Sequence, residues 1–326
     1  MKRLIILSII LLSVLIACSN EDQIDSEPSN SSANENESSQ EKNLNEDLTS
    51  ISKEMQDQQL THVHGMGFTS DGSRLLLGTH AGLRWYENGK WFETTQNIND
   101  YMGFNVVNQG FYTSGHPGAQ SDLPNPIGLQ RSLDGGKTLE SLGFVGERDF
   151  HYLAVGYTSH DILLFNPEQY SKLDQGFFLS QDNGESWESV NASNVEGELL
   201  DIALHPSNSD FMAIASVGGV YLSDDGGDTF TLLTDQAQGV GVFFDEETFY
   251  YTTYQDSASF IAYDLNSQKQ EEKNLPDLGE DAPIYIAQNP QNNKELVIYT
   301  YVNENLYITE NDTEDWELIS EGGQIK

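Results

Sequence analysis

Ser132-Leu-Asp134-Gly-Gly136-Lys-Thr-Leu139, Ser180-Gln-Asp182-Asn-Gly184-Glu-Ser-Trp187 and Ser223-Asp-Asp225-Gly-Gly227-Asp-Thr-Phe230 are copies of one phrase, and Thr309-Glu-Asn311-Asp-Thr313-Glu-Asp-Trp316 is a worn copy. Recurrence at a near-constant period identifies a repeat architecture before any single residue is interpreted. Each copy reads as a hairpin turn. The Ser or Thr ends a strand, and the Asp or Asn side chain bonds backbone amides two residues on. Gly supplies the positive φ that releases the next strand, and the closing aromatic or Leu is that strand's first buried residue.

Two further turns, Trp85-Tyr-Glu87-Asn-Gly89-Lys-Trp91 and Ala262-Tyr-Asp264-Leu-Asn266, fall where copies are missing. Turn starts at 85, 132, 180, 223, 262 and 309 are then spaced by 47, 48, 43, 39 and 47 residues. One four-stranded blade takes about 40 to 50 residues. The spacing predicts an all-β, six-bladed β-propeller over residues 61–326, with a seven-bladed ring, made by splitting a long connection, as the alternative. The phrase itself resembles the Asp-box (BNR) repeat, S-x-D-x-G-x-x-W/F, of sialidases and sortilin-type receptors. That resemblance implies the propeller fold with Asp-boxes as turns between the third and fourth strands of each blade. It implies no chemistry, because catalytic and purely binding propellers share the box.

Ahead of the repeats, Lys2-Arg3 precede an apolar run from Leu4 to Ile16 and then Ala17-Cys18. A run this short, with these flanks, is expected to be a cleaved secretory signal over residues 1–17. Leu15-Ile16-Ala17-Cys18 resembles the bacterial lipobox, which implies a lipidated (palmitate-bearing) Cys18 and a protein anchored to the extracytoplasmic face of a bacterial membrane. Cys18 is the only cysteine, so no thiol is left for a disulfide, for redox work or for a metal. Residues 18–60 are rich in Ser, Asn, Gln, Glu and Asp and are expected to form a disordered acidic tether.

The chain carries 52 acidic and 15 basic residues, a formal charge of −37. A surface this acidic excludes nucleic acid and other anionic polymers as partners. Nothing in the sequence calls for more than a monomer.

In a propeller blade the chain runs from the innermost strand A to the outermost strand D, so A–B and C–D turns share one face and D–A and B–C connections share the other. Strand A of blade 1 is read at 62–68 and of blade 2 at 101–107, with blades 3 to 6 beginning near Phe150, Leu199, Val240 and Ile284. On this register His62, His64, His80, His116 and His151 all fall on the face opposite the Asp-boxes. His160 and His205 lie on the Asp-box side. Alternation along a strand also sends His62, His64 and Met66 to one side, toward the channel.

Clustered imidazoles suit a transition metal, and copper or zinc is the ion expected, with Glu147, Asp149 and Asp122 as acidic partners able to orient the rings. A metal-free polar pocket for a small ligand or a protein is the competing reading of the same rim. One loop interrupts the repeat, Ser114 to Pro126, with three prolines. Long structured loops on a rigid scaffold tend to carry function.

His62-Val-His64-Gly65, Thr79-His80-Ala-Gly-Leu83, Ser114-Gly-His116-Pro117 and Asp149-Phe-His151 together resemble a family of bacterial secreted or lipid-anchored propellers known as glycosyl-hydrolase-like. This implies the fold over nearly the whole mature chain and carries no catalytic role, since the label follows the shared Asp-boxes. A sialidase would need three converging arginines, whereas Arg74, Arg84, Arg131 and Arg148 are spread over different strands and turns. A two-carboxylate glycosidase using Glu147, Asp149 or Asp122 as acid and base is the enzymatic alternative, and an assembly scaffold is the third.

Overall fold

The computed structural model describes residues 48–326 except 57, 170, 171 and 235. Six antiparallel sheets, each built from strands consecutive in sequence, form a six-bladed β-propeller. The innermost strands are Val63–Phe68, Asp100–Val107, Leu153–Val155, Leu199–Leu204, Gln238–Phe244 and Pro283–Asn289. The predicted six blades are present, and strand A of every blade lies within about three residues of its expected start.

Burial explains the composition of each strand position. Leu75–Thr79, Met212–Ser216 and Gly219–Ser223 are buried throughout, because strands B and C are covered on both faces by neighbouring blades and so read as continuous apolar runs. The outermost strand Gln270–Lys273 carries Gln, Glu, Glu and Lys, and a charged edge of this kind resists pairing with other chains. The core lies between blades. Ala203, Ala213 and Val220 of blade 4 pack on Val242, Phe249 and Tyr251 of blade 5. Val63, Leu75 and Leu77 of blade 1 pack on Val297, Tyr299 and Ile308 of blade 6, which closes the ring.

The Asp-boxes are turns, as expected, but their hydrogen bonds reach further than two residues. Asp134 Oδ1 accepts the Thr138 amide four residues on at 2.9 Å, and Ser132 Oγ accepts the Gly136 amide at 2.8 Å. Ser180, Asp182, Gly184 and Ser186 repeat the pattern, as do Ser223, Asp225, Gly227 and Thr229. Phe230 is buried and Trp187 packs against the core between blades 2 and 3. The box of blade 4 touches its own A–B turn through Gly226 N and Asp210 O at 3.0 Å, so both turns share one face of the disk.

The folded domain begins earlier than the expected boundary at residue 61. Ser52–Glu54 pairs with Lys90–Thr94 as a fifth, outer strand of blade 1, and Lys53 reaches Glu93 at 2.8 Å. Beyond it, Gln59 bridges Gln324, and the Leu60 amide donates to Gly323 O at 2.6 Å, so the two ends of the described chain meet. Leu48, Ile51, Met55 and Leu60 are all buried, and these four apolar positions are diluted below notice in a polar composition average. Cys18, the expected signal segment and the expected tether up to residue 47 lie outside the described residues. Among the described residues no helix is long and apolar enough to cross a membrane.

Candidate functional site

Strand A enters the channel through a bulge in five blades, between Val63/Met66, Met102/Asn105, Leu199/Asp201, Gly239/Val242 and Pro283/Tyr285. A bulge bends a strand and re-aims the side chains beside it. In blade 1 it falls on His64-Gly65. Gly65 sits at φ +146, and a Cβ there would lie 2.0 Å from the carbonyl oxygen of Phe104, so only glycine lets blades 1 and 2 approach this closely beside His64.

Two ties bring the B–C turn of blade 1 alongside. The His80 amide donates to His62 O at 3.3 Å, and the Gly82 amide donates to Asn99 O at 2.9 Å, which sets His80 next to the start of blade 2. Ring centroids of His62, His64 and His80 then lie 4.8, 5.5 and 4.6 Å apart, taken pairwise in the order 62–64, 62–80, 64–80. Asp100 joins them. One ligand atom each from His64, His80 and Asp100 lie within 4.8 Å of one another.

Two atoms of this group are buried and without a hydrogen-bond partner, His64 Nε2 and Asp100 Oδ1. His80 Nε2 lies 3.9 Å from Asp100 Oδ1, too far for a hydrogen bond. His64 is held neutral, its pKa pushed down to about 3 by burial and then by the charge His62, His80 and His151 would carry. His62 Nδ1 lies 2.7 Å from Glu304 Oε1 on the B–C loop of blade 6. A carboxylate can only accept, so Nδ1 donates and Nε2 keeps its lone pair.

An ion held at about 2.0–2.1 Å by a tetrahedral set needs donors about 3.3 Å apart. Rotation of the His80 ring, which is 46% exposed, is the available adjustment. The buried neutral imidazole of His64, the carboxylate of Asp100 and the partly exposed imidazole of His80 are three donors that fit a first-row transition metal, with the His62 ring beside them, its centroid 4.8 Å from that of His64.

The other two histidines form a separate pair. His151 Nε2 lies 2.9 Å and His116 Nε2 3.5 Å from the same oxygen, Asp149 Oδ2. His116 Nδ1 meets Asn125 Oδ1 at 2.7 Å and so closes the loop from 114 to 126 on itself. His151 still acts electrostatically on His64. Glu147 is ion-paired with Lys172 at 3.2 Å, and Asp122 is exposed. His160 and His205 belong to the opposite face, bonded to Asn108 and to the Glu246 carbonyl.

Asp100 and Glu304 were not singled out from sequence. The repeat offered little for Asp100: the matching bulges align Met102 with Val63 and Asn105 with Met66, which puts Asp100 at the place of Thr61 and not of a histidine. Glu304 had no signal, because it lies 242 residues from its partner and meets it only when the ring closes.

His62 and His64 stand at one end of a channel of about 920 Å³ that runs down the ring axis. The four arginines serve elsewhere: Arg74 pairs with Glu87, Arg84 with Glu93 and Arg131 with Glu140, while Arg148 approaches the Glu168 carbonyl.

No family model matches the sequence, and no curated protein matches it either. Solved structures do resemble it. A GH74 xyloglucanase from Xanthomonas campestris aligns at 14% identity with a TM-score of 0.54, covering 82% of this chain and 46% of that one. An oligogalacturonate lyase from Vibrio parahaemolyticus aligns at 11% identity and a TM-score of 0.51, covering 82% and 81%. The nidogen/laminin complex aligns at 10% identity and 0.52, covering 74% and 92%. At these identities the likeness establishes the β-propeller fold alone, and the chain spans less than half the length of the first GH74 enzymes it matches.

Proposed function

We propose that this protein is a lipid-anchored, extracytoplasmic β-propeller that binds a transition metal ion, copper or zinc, through His64, His80 and Asp100, with His62 as the fourth ligand. The observation that carries the reading is the pair of buried, unpartnered ligand atoms, His64 Nε2 and Asp100 Oδ1, in one cluster with His80. Each unpartnered buried polar atom costs about 1–3 kcal/mol, and a shared cation removes both penalties together. Glu304 holds the tautomer of His62, as an outer carboxylate does for a metal-bound imidazole. Imidazole with carboxylate suits zinc and copper(II), and Met66 in the channel wall supplies a soft neighbour for copper(I).

Anchoring rests on the lipobox ending at Cys18. Cys18→Ala should release the protein or leave an unprocessed precursor, and unchanged lipidation overturns this part. For the site, metal analysis of the purified protein followed by titration with zinc and copper is the test. One equivalent bound in the wild type, lost in both His64→Ala and His80→Ala, supports the site. Full retention in both variants overturns it. Glycan turnover abolished by Glu147→Gln or Asp149→Asn would instead identify a hydrolase.

A further inference from the structure

Across the same mouth from the histidines, the channel carries a different chemistry. Among its lining residues there is no Lys or Arg, while Glu198 and Asp201 of blade 4 stand beside Tyr152 of blade 3 and Tyr285 and Tyr301 of blade 6. Asp201 follows the bulge of its strand, and its Oδ2 accepts the Val242 amide at 3.0 Å. Tyr152 is pinned by its hydroxyl to Leu199 O at 2.6 Å, and Tyr285 packs against Tyr299 with ring centroids 6.0 Å apart. Tyr301 is 51% exposed at the rim, together with Val217.

These groups lie close enough to act on one another's charge. Burial first, then Asp201 and the neighbouring tyrosines, raise Tyr285; burial first, then Glu198, Tyr301 and Asp201, raise Tyr152. Burial also lifts the Asp201 carboxyl well above the ordinary carboxylate range, with backbone amides as its only compensation. Burial, which disfavours charge of either sign, leads each of these shifts; beyond it, Glu198 and Asp201 add a negative potential at the tyrosines that no Lys or Arg of the lining offsets. A hydrated inorganic cation would want a shell of oxygens. Aromatic rings beside a partly buried carboxyl, in a channel of mixed polar and apolar lining that holds no Lys or Arg, suit a weakly hydrated organic cation.

We propose that the mouth of the channel binds an alkylammonium ion, its cationic head seated between Asp201 and the rings of Tyr152, Tyr285 and Tyr301 and its remainder lying along the apolar wall. The site shares the mouth with the histidine cluster but uses none of its residues, so it stands or falls independently of the metal.

Choline is a suitable probe, and 3,3-dimethyl-1-butanol is its uncharged isostere. Isothermal titration of the full-length protein, in the presence of a chelator, should show choline binding about tenfold or more tighter than the isostere. Asp201→Asn, which keeps shape and removes the carboxyl that a bound cation would draw into its ionised form, should weaken choline about tenfold or more, as should Tyr301→Ala at the exposed rim. Tyr285→Phe, which keeps the ring and loses only the hydroxyl, should retain binding within about threefold. Equal affinity for choline and the isostere overturns the proposal. So does the absence of choline binding at millimolar concentration, or choline binding unchanged by both Asp201→Asn and Tyr301→Ala.

Discussion

On the Asp-box face, Asp134, Asp182 and Asp225 make their hydrogen bonds within four residues of themselves; on the histidine face, His62, His64, His80, Asp100 and Glu304 come from blades 1, 2 and 6. The boxes are electrostatically settled. Partial burial works against Asp134, but bonds from Thr138 and Ser132 hold its carboxyl below the ordinary range; Ser186 does the same for Asp182 and Thr229 for Asp225. The histidine face keeps two buried ligand atoms unbonded and a neutral imidazole under burial stress. Polar groups satisfied by their own turn build the fold. Polar groups brought together from distant blades and left unsatisfied mark where something binds.

The sharpest way to break this contrast is His64→Ala. It should cost metal affinity more than the ~10–100-fold typical of an outer partner, while thermal unfolding shows an intact domain. Unchanged affinity would make the histidine face structural too.

Ser223→Ala provides the counter-test. Its buried Oγ accepts the Gly227 amide at 2.9 Å and donates to Asp225 at 2.8 Å, so its loss should destabilise the fold by about 1–3 kcal/mol and leave metal affinity unchanged. Denaturant unfolding and metal titration read the two effects separately.

Glu304→Gln sharpens the comparison further. It keeps the size of the side chain but frees His62 to choose its tautomer, so metal affinity should fall by about 10–100-fold with little change in Tm. Equal affinities would remove His62 from the ligand set.

Acid titration separates the faces by pH. His64, held at about 3, lies far below its unfolded value, so the unfolded chain binds a proton that the native state refuses. Stability of the metal-free protein should therefore decline as pH falls below about 6.5. Burial lowers His160 as well, so the decline should be partly flattened in His64→Gln and further in His64→Gln with His160→Gln. The boxes contribute in the same sense but in a lower pH window. Their stability is present above the unfolded carboxylate value, about 3.9, and is lost only as pH falls through the lower folded values. Unfolding curves between about pH 7 and 4.5 that are identical in wild type and both variants would refute the assignment.

The smallest effect expected is a gain. A carboxyl raised by burial, such as Asp201, loses stability as pH rises above the unfolded value, because the unfolded chain releases a proton the native state retains. Asp201→Asn should raise Tm more at pH 8 than at pH 5, and a uniform loss would show that the carboxyl is compensated.

Blade number, strand order and the face assignment of each histidine were readable from sequence because they depend on period and alternation, which are local properties. Ser132, Asp134 and Gly136 announce a turn wherever they stand, since their bonds close within the phrase. The outer strand Ser52–Glu54 escaped notice because its three residues are polar and only its partner Lys90–Thr94 makes it a strand. The five histidines could be placed on one rim but not divided, because whether His116 joins His80 or His151 depends on Asp149 and on how the loop from 114 to 126 folds back.

The sequence by itself determined the repeat, the turn chemistry and the acidic surface, all of which follow from residues within one blade. Only the tertiary structure decided that Glu304 fixes His62, that Asp100 faces His64 and His80, and that Asp201 shares the channel with tyrosines of blades 3 and 6. The first of those meetings requires the ring to close through the apolar contact between blades 1 and 6, made by residues more than two hundred positions apart, and the others require separate blades to dock, which no local period encodes.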